Sequence, residues 1–121
     1  MINKLNEINL DYVKKTGAIL VLRNPEKLEL GDLKKFNRKC LQRKIKLYIA
    51  NSVKILFLLN TNRFYISSYN KKRFRHLKYI NPKIKIIGSA HNTSEIFEKI
   101  NQGCTQIVLS RLFQTNYKYK K

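Results

Sequence analysis

The sequence predicts an α/β fold built on a parallel sheet. Three observations predict it: short apolar runs begin near residues 18, 45, 63, 84 and 106, an amphipathic or capped helical pattern lies between them, and turn residues mark the joints. Strands and helices alternating in this way are the pattern of successive right-handed βαβ crossovers. Such folds collect their functional groups at the carboxyl ends of the strands.

Each element has its own justification. Leu5, Ile8, Tyr12 and Val13 make the apolar stripe of a first helix. Residues 18–22 (AILVL) follow Gly17 as a continuous apolar run, the pattern of a strand buried on both faces, and end at Arg23-Asn24-Pro25. From Asp32 onward, Leu33, Phe36, Cys40 and Leu41 recur at helical spacing, with Lys34, Lys35, Arg38, Lys39 and Arg43 on the rest of the cylinder. Residues 45–50 read as a second strand, after which Asn51 and Ser52 suit the cap of a short helix over 53–59. Residues 63–67 (RFYIS) are a third strand, and Phe74, Leu77 and Ile80 space a helix over 72–80 that Asn81-Pro82 stops. A fourth strand covers 84–87. Asn92 with Glu95 three residues on resembles a capping box, Ile96, Phe97 and Ile100 supply that helix's apolar face, and Gly103 ends it before a fifth strand at 106–109.

The chain has 121 residues, which reads as a single domain over 1–121 with a modest core. With 43% hydrophobic and 11% aromatic residues it is too apolar for a disordered basic tail. The longest aliphatic and aromatic run, residues 55–59, is far short of a bilayer span, and the first 30 residues hold no signal-peptide core. The expectation is a cytoplasmic protein without a membrane partner. Cys40 and Cys104 lie far apart with no metal-binding spacing, so they read as two free, buried thiols.

Lys and Arg number 26 against 7 Asp and Glu, a formal charge of +19. The distribution says more than the total. Residues 33–94 contain no carboxylate and carry 16 Lys or Arg, so paired-carboxylate chemistry cannot arise there. A basic surface or groove for phosphates or nucleic acid fits that stretch. A compositional origin also fits, because Lys, Asn and Ile, whose codons are AT-rich, make up more than a third of the residues.

Read in order, the strand ends carry Arg23, Asn51, then Ser67-Ser68-Tyr69-Asn70, then GSAHNTSEI at 88–96, and finally FQTNYK at 113–118. This series, over residues 17–118, resembles the thiamine-phosphate synthase and thiazole tautomerase family, a (β/α)₈ barrel of the TIM type. The resemblance implies an incomplete barrel of five to six βα units, and ligands that are phosphorylated pyrimidine and thiazole compounds joined with loss of pyrophosphate. It assigns Arg23, Asn51, Ser89, Thr115 and Lys118 to substrate and phosphate binding. It gives His91, with Lys118, a catalytic part, imidazole being the side chain that exchanges protons near neutral pH. It also implies Mg²⁺, whose role beside Lys and Arg is to hold the negative charge that develops on the phosphates. At the two positions where the family carries magnesium-binding aspartates this chain has Ser52 and Asn70, and Pro25 replaces a family lysine that Lys27 could stand in for. These neutral oxygens predict weak magnesium binding and argue against synthase turnover.

Other readings compete at each position. Arg23 could pair with Glu26 or Glu29, Lys118 could be a solvated terminus, His91 could be a structural hydrogen bonder, and His76 a surface group. A (β/α)₈ domain runs to roughly 200 residues or more, so the chain reads as truncated, with open sheet edges that a second copy could cover. In a different class, Tyr65, Tyr69, Phe74 and Tyr79 interleaved with Lys71, Lys72, Arg73 and Arg75 suggest a small basic protein that binds nucleic acid.

Overall fold

A computed structural model describes residues 8–109. The order of elements is α1 (Leu10–Thr16), β1 (Leu20–Leu22), a 3₁₀ turn (Pro25–Lys27), α2 (Leu30–Gln42), β2 (Leu47–Ala50), α3 (Val53–Leu58), β3 (Arg63–Ile66), α4 (Leu77–Ile80), β4 (Lys85–Ala90), α5 (Thr93–Gln102) and β5 (Gln106–Leu109). The strands form a parallel sheet in the order β1-β2-β3-β4-β5. That order never reverses, which separates it from doubly wound sheets with their switch point. Among the described residues, no helix is long and apolar enough to cross a membrane. The chain divides into two compact units, Met1–Phe64 and Tyr65–Lys121, the division falling within β3.

In the first unit, Asn9 caps α1 by accepting from the Tyr12 amide at 3.0 Å, and Gly17 closes it in the left-handed conformation. The predicted stripe is not what α1 buries. Tyr12 is exposed and Leu10 is the buried residue, while Leu5 lies outside the described residues. Strand β1 runs beside β2 with Leu20 opposite Leu47 and Leu22 opposite Ile49. The burial on both faces expected of residues 18–22 is found in β2 instead: all four residues of β2 are buried, while in β1 Leu22 is buried, Leu20 and Val21 are half-buried, and Ile19 before them is exposed. On α2, Leu33, Phe36 and Cys40 face the core as their spacing predicts, but Leu41 is exposed. The buried Asn37 takes part instead, its amide donating to the Leu59 carbonyl at 3.3 Å and so satisfying an acceptor at the end of α3.

In the second unit the largest departure from the sequence pattern follows β3. The helix expected over 72–80 shrinks to α4, Leu77–Ile80, and residues 70–74 hold no regular structure. Phe74 and Leu77 are buried, as their apolar spacing predicts, but Ile80 is exposed. Strand β4 is longer than predicted and pairs with β5 from Ile87–Gln106 to Ala90–Leu109. Asn92 caps α5 by accepting from the Glu95 amide at 2.9 Å, and Gly103 ends the helix at φ 111°.

Helix α5 does not bury its predicted face. Phe97 and Ile100 are 62% and 50% exposed, whereas Lys99 is 0% exposed and Gln102 is buried. The non-helical return from β3 explains this inversion. The backbone carbonyls of this return lie outside any helix or strand and need donors from elsewhere. The Lys99 Nζ supplies them to Ser68 at 3.3 Å and Asn70 at 2.9 Å, and the Gln102 amide supplies them to Asn70 at 2.8 Å and Lys72 at 2.5 Å. A third bond, 2.7 Å from Nζ to Gln102 Oε1, uses the last ammonium proton.

Candidate functional site

The strand ends of the first unit hold Arg23 and Asn51. Arg23 follows β1 directly and is exposed, and among the described residues no ion pair is formed by it. The alternative pairing with Glu26 is not adopted. Glu26 turns instead to Ser52, whose hydroxyl donates to its carboxylate at 3.3 Å. The same hydroxyl oxygen accepts from the Ile55 amide at 3.2 Å and caps α3. Ser52 is therefore engaged both as donor and as acceptor. Asn51, just before it, sits at φ 62°, a conformation that Asn tolerates better than most residues. That backbone demand is a reason for Asn at this position independent of any ligand, and no periodicity in the sequence could have revealed it.

The second unit holds Ser89, His91 and Asn70. The alternation of side chains along β4 places Gly88 toward α5, where a Cβ would lie 2.5 Å from Cys104 Sγ and 2.8 Å from Lys99 Cδ. Ser89 accordingly belongs to the other face of the strand and is buried. His91 follows two residues later, beyond the strand end, with its side chain 33% exposed. Glu95 holds it twice: its carboxylate accepts from the His91 amide at 2.6 Å and stands 3.5 Å from Nδ1. The imidazole is thus positioned from one ring nitrogen by a carboxylate, an arrangement that suits proton exchange and also a purely structural role. In the sequence Glu95 reads as a cap residue and as the acid that follows the histidine in GSAHNTSEI. The structure gives it the histidine as well.

Asn70 is part of the clamped loop. Its side chain accepts from the Lys72 amide at 3.0 Å and closes an Asx turn, while its carbonyl takes the bonds from Lys99 and Gln102. Thr115 and Lys118 lie outside the described residues.

The two positions where the resemblance implies magnesium-binding aspartates are each engaged within their own unit. Ser52 is bonded on both sides, to the Glu26 carboxylate and the Ile55 amide, and the Asn70 side-chain oxygen serves the turn. Among the described residues no group of three or more His, Cys, Asp or Glu side chains comes together. Neither thiol suits a reactive role. Burial pushes Cys40 up to about 11 against the opposing charge of Arg43, and pushes Cys104 up to about 11 against that of Lys99.

The fold and the strand-end groups define an α/β protein with a parallel sheet and polar strand termini, Arg23 among them. No protein-family model and no curated protein matches the chain.

Proposed function

We propose that the chain is a phosphate-ester-binding protein of the thiamine-phosphate synthase and thiazole tautomerase type, an arc of a (β/α)₈ barrel acting in the cytoplasm on phosphorylated pyrimidine and thiazole compounds. One observation carries the reading: Arg23, Asn51, residues 67–70 and His91 each follow directly on one of four consecutive parallel strands. In this proposal Arg23 is the phosphate cation, Asn51 and Ser89 are hydrogen-bonding groups, and Thr115 and Lys118 extend the anion site. His91, held by Glu95, exchanges a proton with the ligand, which favours a tautomerase-like reaction over condensation. Ser52 and Asn70 in place of aspartates support the same preference. A second copy covering the open sheet edges completes the proposal.

Calorimetric titration with the thiazole phosphate tests it. Binding is expected, and Arg23→Ala should weaken it by about 1.5–3 kcal/mol, the usual worth of a hydrogen bond to a charged group. His91→Asn should leave binding in place and abolish tautomerisation followed by NMR. A folded chain that binds neither precursor would overturn the proposal.

A further inference from the structure

A depression lies at the opposite end of the strands from His91, where α4 leads into β4 and α5 leads into β5. It is open, about 390 Å³ in volume, and lined by Arg75, Lys78, Tyr79, Ile100, Gly103 and Cys104. That volume is within the ordinary range of ligand sites. Residues 75–80 wind as successive turns, with the Lys78 amide on the Arg75 carbonyl at 3.1 Å and the Tyr79 amide on that of His76 at 3.0 Å. Residues three and four apart share a face of such a coil, so Arg75, Lys78 and Tyr79 fall together. Gly103 makes room for the first of them. A Cβ at that position would stand 3.2 Å from both Cα and Cγ of Arg75.

Two features suit a ligand. Tyr79 is 90% exposed beside the half-exposed Ile100, a flat aromatic and aliphatic surface standing in water. Arg75 and Lys78 have no carboxylate partner among the described residues. The only acids in 65–109 are Glu95, held by the His91 amide, and Glu98, bonded to Lys71 at 3.0 Å. We infer that this depression binds single-stranded nucleic acid, one base stacking on Tyr79 while Arg75 and Lys78 hold the adjoining phosphates. Cations around an exposed aromatic ring are the usual means of sequence-tolerant single-strand binding. The site's openness, and the further bases Lys72, Arg73, Lys83 and Lys85 in the same acid-free stretch, favour a strand over a lone nucleotide.

The test is fluorescence anisotropy with a labelled short oligouridylate over a series of salt concentrations. Tyr79→Ala is expected to weaken binding by about 5- to 100-fold, since stacking contributes on that scale, and Tyr79→Trp to retain it. The chain has no tryptophan, so the indole introduced by Tyr79→Trp gives a single signal that stacking should quench. Arg75→Ala with Lys78→Ala should lower the salt slope by roughly 0.7 for each phosphate no longer neutralised. Lys14→Ala with Lys15→Ala on α1 removes the same charge elsewhere and should cost less. The inference is overturned if Tyr79→Ala, folded by circular dichroism, binds as the wild type does. It is equally overturned if the α1 pair costs as much as Arg75 and Lys78, which would mean diffuse attraction to charge, or if uridine monophosphate competes as well as the strand.

Discussion

Lys99 and the two thiols carry the residue-scale chemistry that composition alone conceals. Burial holds the Lys99 ammonium below the ordinary lysine value, with Cys104, Glu98 and Glu95 opposing and Lys71 assisting that fall. For a base depressed in this way, the folded state is penalised below its folded pKa, and the penalty is relieved as pH rises toward 10.5. The thiols behave oppositely. Between about 9 and about 11 the unfolded chain loses the Cys40 proton and the folded chain keeps it, so the stability this group contributes is complete below 9 and falls as pH rises. Urea unfolding of the wild type and of Cys40→Ala isolates the effect from the many titrating lysines and tyrosines. Their difference in unfolding free energy should shrink steadily between those pH values. A constant difference would show that Cys40 ionises alike in both states.

At the scale of elements, the packing of β4 against α5 turns on one missing methyl. Gly88 leaves the space through which the Lys99 stem and Cys104 Sγ approach the strand, and its φ places no special demand on glycine. Gly88→Ala should therefore destabilise by about 1–3 kcal/mol through overpacking. Cys104→Ala in the same chain should recover part of that stability, because it removes the nearer clash. Thermal melts of the two single variants and the double variant measure this coupling, and additive effects would place the strain elsewhere. Helix α5 also marks a limit of pattern reading. Ile96, Phe97 and Ile100 define an apolar face by spacing, yet Lys99 and Gln102 are what the helix buries. Periodicity registers only the helix's own side chains, and the deciding partner is a non-helical loop with carbonyls to satisfy.

For the whole molecule, +19 on 121 residues is a self-repelling charge. Raising sodium chloride from about 10 mM to about 150 mM shortens the screening length from about 30 Å to about 8 Å and should raise the melting temperature. A melting temperature that salt leaves unchanged would mean that the repulsion is already relieved in the fold. The alternation of strands and helices, the place of β2, the caps at Ser52 and Asn92 and the glycine stop at Gly103 were all legible in the sequence, whereas the burial on both faces expected of β1 belongs to β2. They depend on apolar period and local hydrogen bonding, which neighbours in the chain determine among themselves. The strand-end residues were legible as positions too, since a parallel βα pattern dictates where its loops lie. Tertiary structure alone decided the engagement of Ser52 with Glu26, the double hold of Glu95 on His91, the clamp of Lys99 and Gln102 and the face presented by Arg75, Lys78 and Tyr79. Apart from the short-range hold of Glu95, these arrangements join residues through the packing of separate elements, and burial and hydrogen-bond satisfaction across such interfaces leave no period in the chain.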